Sequence, residues 1–496
     1  MTTTNPASLA SSVHLSTKAV IGGQLVDAAS GKTFDTLNPA TGQVLAQVAD
    51  CGAEDVDRAV RAARRAVDSG PWGAMSPTDR RRLLIRYANL IDAHALELAT
   101  VETLEGGKPI TDTSTIDVPE TVETIRWHAE AADKVYDQLS PSGPGVVSMI
   151  EREPLGVIGA VLPWNFPLLM AAWKLGPILA TGNAVVLKPA EQTSMSTLRL
   201  AELAIEAGLP DGVVNAVPGF GESVGEPLGR HPDVDGLTFT GSTETGRAFL
   251  RYSADSNLKR VTLECGGKNP LLVMADADNL DSVAGHVATS IFWNGGQNCS
   301  SNSRLIVHRS RKDELLDLVL RKAGEWIVGD PLDPATKIGA IIEAAHLHKV
   351  LDNITAAREE GANLVLGGNR TREESGGWFV EPTIFDGVTA DMRVATEEIF
   401  GPVLAVTSFD QPDEAIELAN ATEYGLSAAV FTSDVRTAHL ASRRIQAGTV
   451  TVNCYGEGDM TTPFGGYKLS GFGGRDNGLA AHEQYTQPKT IWLDLS

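Results

Sequence analysis

The chain has 496 residues, with 63 Asp and Glu against 41 Lys and Arg and a formal net charge of −22. That surplus of negative charge argues against nucleic acid or an anionic membrane as a partner. A composition of 42% hydrophobic and 21% charged residues is that of a soluble globular protein, long enough for about three domains with sizeable cores. Four widely spaced cysteines (Cys51, Cys265, Cys299, Cys454) suggest neither a disulfide framework nor a metal cluster, so no metal is expected. The N-terminal stretch MTTTNPASLASSVHLSTK has no apolar signal core and no transit-peptide arginines, and no apolar run is long enough to cross a bilayer. A cytoplasmic location is expected.

Residues 20–48 alternate apolar and polar side chains around Ser30-Gly31-Lys32, which predicts one antiparallel ribbon. Val56, Ala59, Val60, Ala63 and Val67 recur at helical spacing and leave an arginine-rich face for solvent. Ser76-Pro77-Thr78-Asp79 reads as a helix start, with Ser76 as cap, Pro77 in the first turn and Asp79 favouring the dipole. Gly106-Gly107 stops a later helix before Pro109. Asp117 and Glu120 are three residues apart, so a helix would turn both to the same side.

From residue 156 short apolar runs alternate with helical segments, the pattern of a parallel sheet with crossover helices. A strand over 156–162 ends in Pro163-Trp164-Asn165-Phe166-Pro167, where two prolines restrain the backbone around Asn165. An amide donor held in a fixed direction is what an oxyanion site needs. Strands are predicted at 183–187 and 213–217, separated by a helix over 193–207. A further strand, 236–239, runs through Gly241 and Ser242 into a helix, the arrangement of a phosphate seat. Strand 261–263 leads to Glu264, a carboxylate beside Gly266 and Gly267 that suits a general base near a cofactor. Asn294 to Arg304 reads NGGQNCSSNSR and lies between a helix over 280–292 and a strand over 304–308. Cys299 is thus a loop thiol on a rigid scaffold, a candidate nucleophile, although a lone cysteine is more often a small buried hydrophobe. Helices near 312–326, 343–360, 412–420 and 435–446 then alternate with strands at 363–366, 402–409, 426–431 and 449–452.

Seven motifs stand in order along the chain: PWNFP at 163–167, KPAE at 188–191, FTGSTETG at 239–246, LECGGKNP at 263–270, GQNC at 296–299, EEIFGPV at 397–403 and PFGGYKLSG at 463–471. In these the chain resembles the NAD(P)-dependent aldehyde dehydrogenases over essentially its whole length. The resemblance implies an α/β fold with a Rossmann-like cofactor domain (1–136 and 155–266), an α/β catalytic domain (267–454) and a β-strand oligomerisation arm (137–154 and 475–496). It implies that Cys299 attacks the aldehyde, that Asn165 and the Cys299 amide hold the oxyanion, and that Glu264 activates water to hydrolyse the thioester. Hydride would pass to NAD, held by Trp164, Lys188, Glu191, Gly241, Ser242, Glu398 and Phe400.

Within the family the chain is most similar to bacterial dehydrogenases of γ-glutamylaminobutyraldehyde and related amino- or guanidino-aldehydes, through Ile125-Arg126-Trp127 and Gly458-Asp459-Met460-Thr461 among other segments. That similarity implies an anionic rim at the substrate tunnel made by Asp117 and Glu120. Trp173, Trp293 and Phe464 would be its aromatic lining, with Asn453 lining the tunnel or bracing the loop beside it. The aromatic lining would equally suit betaine aldehyde or a simple apolar or aromatic aldehyde. A CoA-acylating or non-catalytic relative is a more distant alternative, disfavoured by the joint presence of Cys299 and Glu264. The arm implies a homo-oligomer, a dimer or tetramer.

Overall fold

The apolar runs form two large sheets joined end to end at the site. The computed structural model describes residue 10 and residues 12–456 and 458–496, so the beginning of the N-terminal stretch lies outside the described residues. The first sheet has eight strands in the order Gln24–Val26, Ala19–Ile21, Val214–Ala216, Ala184–Lys188, Val157–Val161, Gly236–Gly241, Arg260–Cys265, Gly471–Phe472. Its five central strands are parallel and buried except at Gly241 and Arg260, as expected of strands covered on both faces.

From Val157–Val161 the chain builds outward through Ala184–Lys188 and Val214–Ala216, then returns to the other side for Gly236–Gly241 and Arg260–Cys265. A crevice opens at the carboxyl ends of strands where the order reverses in this way. Trp164 and Asn165 follow one of the two strands at the switch, and Ser242 follows the other.

The second sheet has seven strands in the order Asn363–Leu366, Thr383–Asp386, Val403–Phe409, Arg304–His308, Pro270–Val273, Ser427–Phe431, Thr449–Val452. All pair in parallel except Asn363–Leu366 with Thr383–Asp386. Just four residues, 266–269, lead from Cys265 of the first sheet to Pro270 of the second, and the chain returns over 453–470 to Gly471 of the first. The carboxyl edge of one sheet therefore meets the amino edge of the other. The helix Pro167–Ala180, buried at all 14 positions, packs Leu168, Ala171 and Leu175 against Val118, Val122 and Ile125 of the helix Val118–Ala131.

The single ribbon predicted over 20–48 is instead two hairpins. Ala19–Ile21 pairs with Gln24–Val26 across Gly22-Gly23, at φ +60° and +78°, and Thr33–Leu37 pairs with Val44–Ala49. Ser30-Gly31-Lys32 merely links them. The left-handed glycine pair supplies a tighter turn, and a side chain on Gly23 would strike Asp211, 2.2 Å from the Cβ position.

The last strand, Thr486–Asp494, pairs antiparallel with Val146–Pro154 along its whole length, and Gln138–Ser140 completes a three-stranded sheet. Leu139 and Trp492 project from it largely exposed, at 74% and 64%. Among the described residues no helix is long and apolar enough to cross a membrane, and no group of three or more His, Cys, Asp or Glu could hold a metal ion.

Candidate active site

After the helix Leu280–Phe292 come Asn294, Gly295 and Gly296 with φ of +52°, +60° and +70°. Three left-handed residues in succession reverse the chain and bring Cys299 back to the junction of the sheets. A side chain on Gly296 would lie 2.2 Å from the Gly401 carbonyl oxygen, so this turn is packed directly on the 397–403 segment. The loop is pinned from several directions. Asn269 Nδ2 donates to the carbonyls of Cys299 (2.7 Å) and Ser301 (3.1 Å), and the Gln297 side chain bridges Ala340 O and Ile342 N. Asn165 Nδ2 donates to Gln297 O at 3.0 Å, while Asn294 Nδ2 donates to Asn165 O and Gln297 O. Sequence reasoning found Cys299 and Asn165 but missed Asn294 and Gln297, which fix their relation.

Cys299, Asn165 and Glu264 all line one cavity of about 570 Å³. Glu264 is opposite Thr240 in the parallel register, at the carboxyl end of Arg260–Cys265. Burial pushes its carboxyl well above the usual range, as does the negative charge of Asp476, while Lys174, Arg475 and the Gly466 N–H pull it back. Its Oε2 has no hydrogen-bond partner among the described residues. Behind it Lys174 and Asp476, both buried, form an ion pair, and Gln484 Nε2 donates to Asp476 Oδ1 at 3.1 Å. This pair spans 302 residues. Its only sequence signal was a lysine in an otherwise apolar helix, PLLMAAWKLGPILA.

Gly241, Ser242, Trp164, Glu398 and Phe400 border the same cavity. Ser242 caps the helix Thr243–Ala254, accepting from the Thr245 N–H, so that helix N-terminus opens on the cavity. Glu398 accepts from the Gly267 N–H at 2.8 Å, and burial pushes its carboxyl up to about 7 against the pull of that N–H and of Lys349. Trp164 meets the Phe400 ring at 5.3 Å, near perpendicular. Lys188 and Glu191 pair with each other at 3.1 Å and do not border this cavity. Glu191 lines a separate hollow of about 330 Å³ beside Phe220 and Trp378.

On the other side of Cys299, Trp173 stacks edge-on against Phe464 at 5.1 Å, and Trp293 tilts against Phe166 at 5.3 Å, an apolar wall completed by Met170. The predicted acidic pair is divided. Ile116, Glu120 and Thr124, four residues apart, face the cavity. Asp117 is wholly buried and holds Lys108 Nζ at 2.5 Å, with Glu102 on the same amine at 3.3 Å. A buried lysine requires counter-charge, and the π-helical turn Thr113–Asp117 turns Asp117 toward it, away from the rim. Of the two places expected for Asn453, lining the tunnel or bracing the loop beside it, its contacts match the bracing one. At φ +56° its side chain bonds both the N–H and the carbonyl of Thr432, which braces the strand end.

The wall beyond it is made instead by Tyr455, Asp459 and Met460. Asn298 Nδ2 donates to the Tyr455 hydroxyl at 3.1 Å, tying this loop to the Cys299 loop, and Asp459 Oδ1 accepts from the Thr461 N–H at 2.8 Å. Glu120 and Asp459 are both exposed, whereas Trp173 and Phe464 are buried, so the acids stand at the outer end.

The aldehyde dehydrogenase family model matches residues 25–491. An aminoacetaldehyde dehydrogenase of Pseudomonas aeruginosa is 55% identical over 490 residues, 99% of this chain and 98% of the relative. Among solved structures, a P. syringae indole-3-acetaldehyde dehydrogenase in complex with NAD+ and IAA superposes with TM-score 0.98 at 48% identity, covering 99% of this chain and 100% of the other. A γ-glutamyl-γ-aminobutyraldehyde dehydrogenase of Burkholderia cenocepacia gives 0.97 at 50% identity, covering 99% of both. Matched along nearly its entire length in sequence and in backbone, the chain belongs to the aldehyde dehydrogenase family.

Proposed function

We propose that the aldehyde this chain oxidises carries a cationic ω-amino group or a comparable nitrogen-bearing end. The observation that carries the reading is the pair of exposed carboxylates, Glu120 and Asp459, from two separate elements of an aromatic-walled cavity that Cys299 also lines. Such acids attract a cation and hold it one chain length from the thiol. The aromatic rings add cation–π and apolar contact along the way. Two relatives bear the names of nitrogen-containing aldehydes, aminoacetaldehyde and γ-glutamyl-γ-aminobutyraldehyde, which supports the reading.

The reaction is the NAD-dependent oxidation of the aldehyde to its acid. The residues present fit the cofactor: a capped helix N-terminus at Ser242 for the pyrophosphate, with Glu398, Trp164 and Phe400 lining the same cavity as Cys299. We read Lys188 and Glu191 as its adenosine-ribose contacts. When bound, NAD supplies the hydride acceptor. Cys299 Sγ, its proton released to solvent, adds as the thiolate to the carbonyl carbon, and the π electrons pass to oxygen to make the hemithioacetal oxyanion. An amide nitrogen carries two N–H groups; Gln297 O takes one from Asn165, and the other is available to the developing oxyanion. Loss of hydride leaves a thioester on Cys299, and Glu264 takes a proton from the water that cleaves it, releasing the acid and the free thiol.

We further read the Thr486–Asp494 arm as a site of homo-oligomerisation, since an exposed apolar edge invites strand pairing. The four thiols, none in a disulfide, suit a reducing compartment such as the cytoplasm.

The test is a panel of aldehydes of matched length. Glu120→Gln with Asp459→Asn should raise KM for 4-aminobutyraldehyde roughly fivefold at low salt, about 1 kcal/mol, and leave hexanal within about twofold. Equal losses on both substrates, or none, would sink the charge reading and favour a simple apolar aldehyde.

A further inference from the structure

Glu398 and Phe400 lie in the segment between the short helix Arg393–Thr396 and the strand Val403–Phe409. Three contacts from three elements hold that segment. The Glu398 carboxylate accepts from the Gly267 N–H at 2.8 Å, the Gly401 carbonyl abuts Gly296 of the Cys299 loop, and the Phe400 carbonyl accepts from His346 Nε2 at 2.7 Å. A carbonyl oxygen can only accept, so this bond fixes the proton on Nε2.

Phe400 stands at φ +61°. A bulky aromatic residue is disfavoured in the left-handed region and persists there only where its surroundings over-determine it. His346, in the first turn of the helix Ala344–Glu359, supplies that constraint at the Phe400 carbonyl. One turn further, Val350 lies 2.8 Å from where a Cβ on Gly401 would stand, so the helix backs the segment closely. The His346 ring also closes a triangle of aromatic contacts, 5.5 Å from Trp164 and 6.1 Å from Phe400, beside the 5.3 Å Trp164–Phe400 contact. Burial lowers the imidazole to about 4, which keeps the ring neutral at physiological pH, as a single Nε2–H donor requires.

We propose that His346 is a positioning residue for the cofactor: its Nε2–H holds the Phe400 carbonyl, and with it the left-handed turn that presents Glu398 and Phe400 to the nicotinamide end of NAD. This rests on the reading of Glu398 and Phe400 as cofactor contacts. The bond itself, and not the bulk of the ring, carries the effect, because without it a part-buried carbonyl loses its donor and Phe400 loses what opposes relaxation to φ < 0.

His346→Gln keeps a donor at nearly the reach of Nε2, whereas His346→Met keeps the length and removes the donor. NAD dissociation constants by calorimetry, and amide hydrogen exchange of residues 398–403 in the NAD-free protein, read the effect without turnover. His346→Met should weaken NAD binding about tenfold, accelerate exchange across 398–403 and leave the KM for aldehyde within about twofold, with His346→Gln near wild type throughout. A methionine variant with wild-type NAD affinity, or a glutamine variant as weak as the methionine one, overturns the proposal. His346→Leu repeats the comparison if the methionine variant does not fold. Phe400→Ala and Glu398→Gln test the underlying reading. If they weaken NAD binding and His346→Met does not, only the role of His346 falls; if neither weakens it, the cofactor-contact reading itself falls.

Discussion

Cys299 owes its placement to the left-handed run before it, and Glu264 owes its chemistry to what surrounds it. Burial, and after it the charge of Asp476, raises the Glu264 carboxyl well above the usual range, and a general base works in its ionised form. The hydrolytic step should therefore rise with pH through the raised pKa. Arg475 opposes the shift, so Arg475→Gln should move the acid limb of the deacylation rate to still higher pH, and a limb displaced to lower pH would contradict this origin. Glu264→Gln should allow one burst of NADH per site and then stall, as followed by stopped-flow absorbance. Steady turnover at the parental rate would move the base elsewhere. These residues were legible because loop glycines, flanking prolines and a strand-end carboxylate mark them in the sequence. Asp117 and Glu120 were not separable, since a three-residue spacing tells which side they share but not that a buried Lys108 claims one of them. In the sequence Asp459 marks only the subgroup, because nothing local says that its loop is tied to the Cys299 loop through Tyr455 and Asn298.

At the scale of elements, most helices and strands were found within a few residues. Helices Leu280–Phe292 and Pro412–Asn420 and strands Arg304–His308 and Thr449–Val452 match their predicted bounds. What periodicity could not supply was long-range pairing. The short helix Ala480–Gln484, at the foot of the arm, brings His482 to His128 at 2.9 Å, both rings buried and one donating to the other. Burial lowers His482 to about 4 and holds His128 well below its ordinary value, so the folded state resists protons that the unfolded chain takes up near pH 6.5. Between those values the unfolded state binds more protons, and stability is lost as pH falls. At pH 5 the cost for His482 alone is about 2 kcal/mol. His482→Gln should shrink the drop in Tm between pH 7 and pH 5 measured by calorimetry, and an undiminished drop would assign the acid sensitivity to other groups.

For the whole molecule, the arm bears on assembly. Among the described residues Thr486–Asp494 has one strand neighbour, Val146–Pro154, and no strand pairs with its other edge. Truncation after residue 485 should lower the mass found by light scattering while the separated subunits keep their two large sheets; an unchanged mass would place the association elsewhere.

The four-residue link 266–269 between the sheets acts as a fulcrum. Four residues span at most about 14 Å even when fully extended, so the two halves of the molecule cannot part at that point. Glu264 stands just before the link, and Gly267 passes so close beneath Cys299 that a Cβ there would be 2.8 Å from the Cys299 carbonyl. If the halves rock on NAD release, displacement grows with distance from this pivot. It would be small between base and thiol, beside the link, and larger at the exposed acids Glu120 and Asp459. Such rocking would let ligands exchange without parting base from thiol. Spin labels at 120 and 459 should report a distance that changes with NAD, while a pair flanking the link should not. A change at the link as large as that at the rim would show that the sheets separate instead of pivoting.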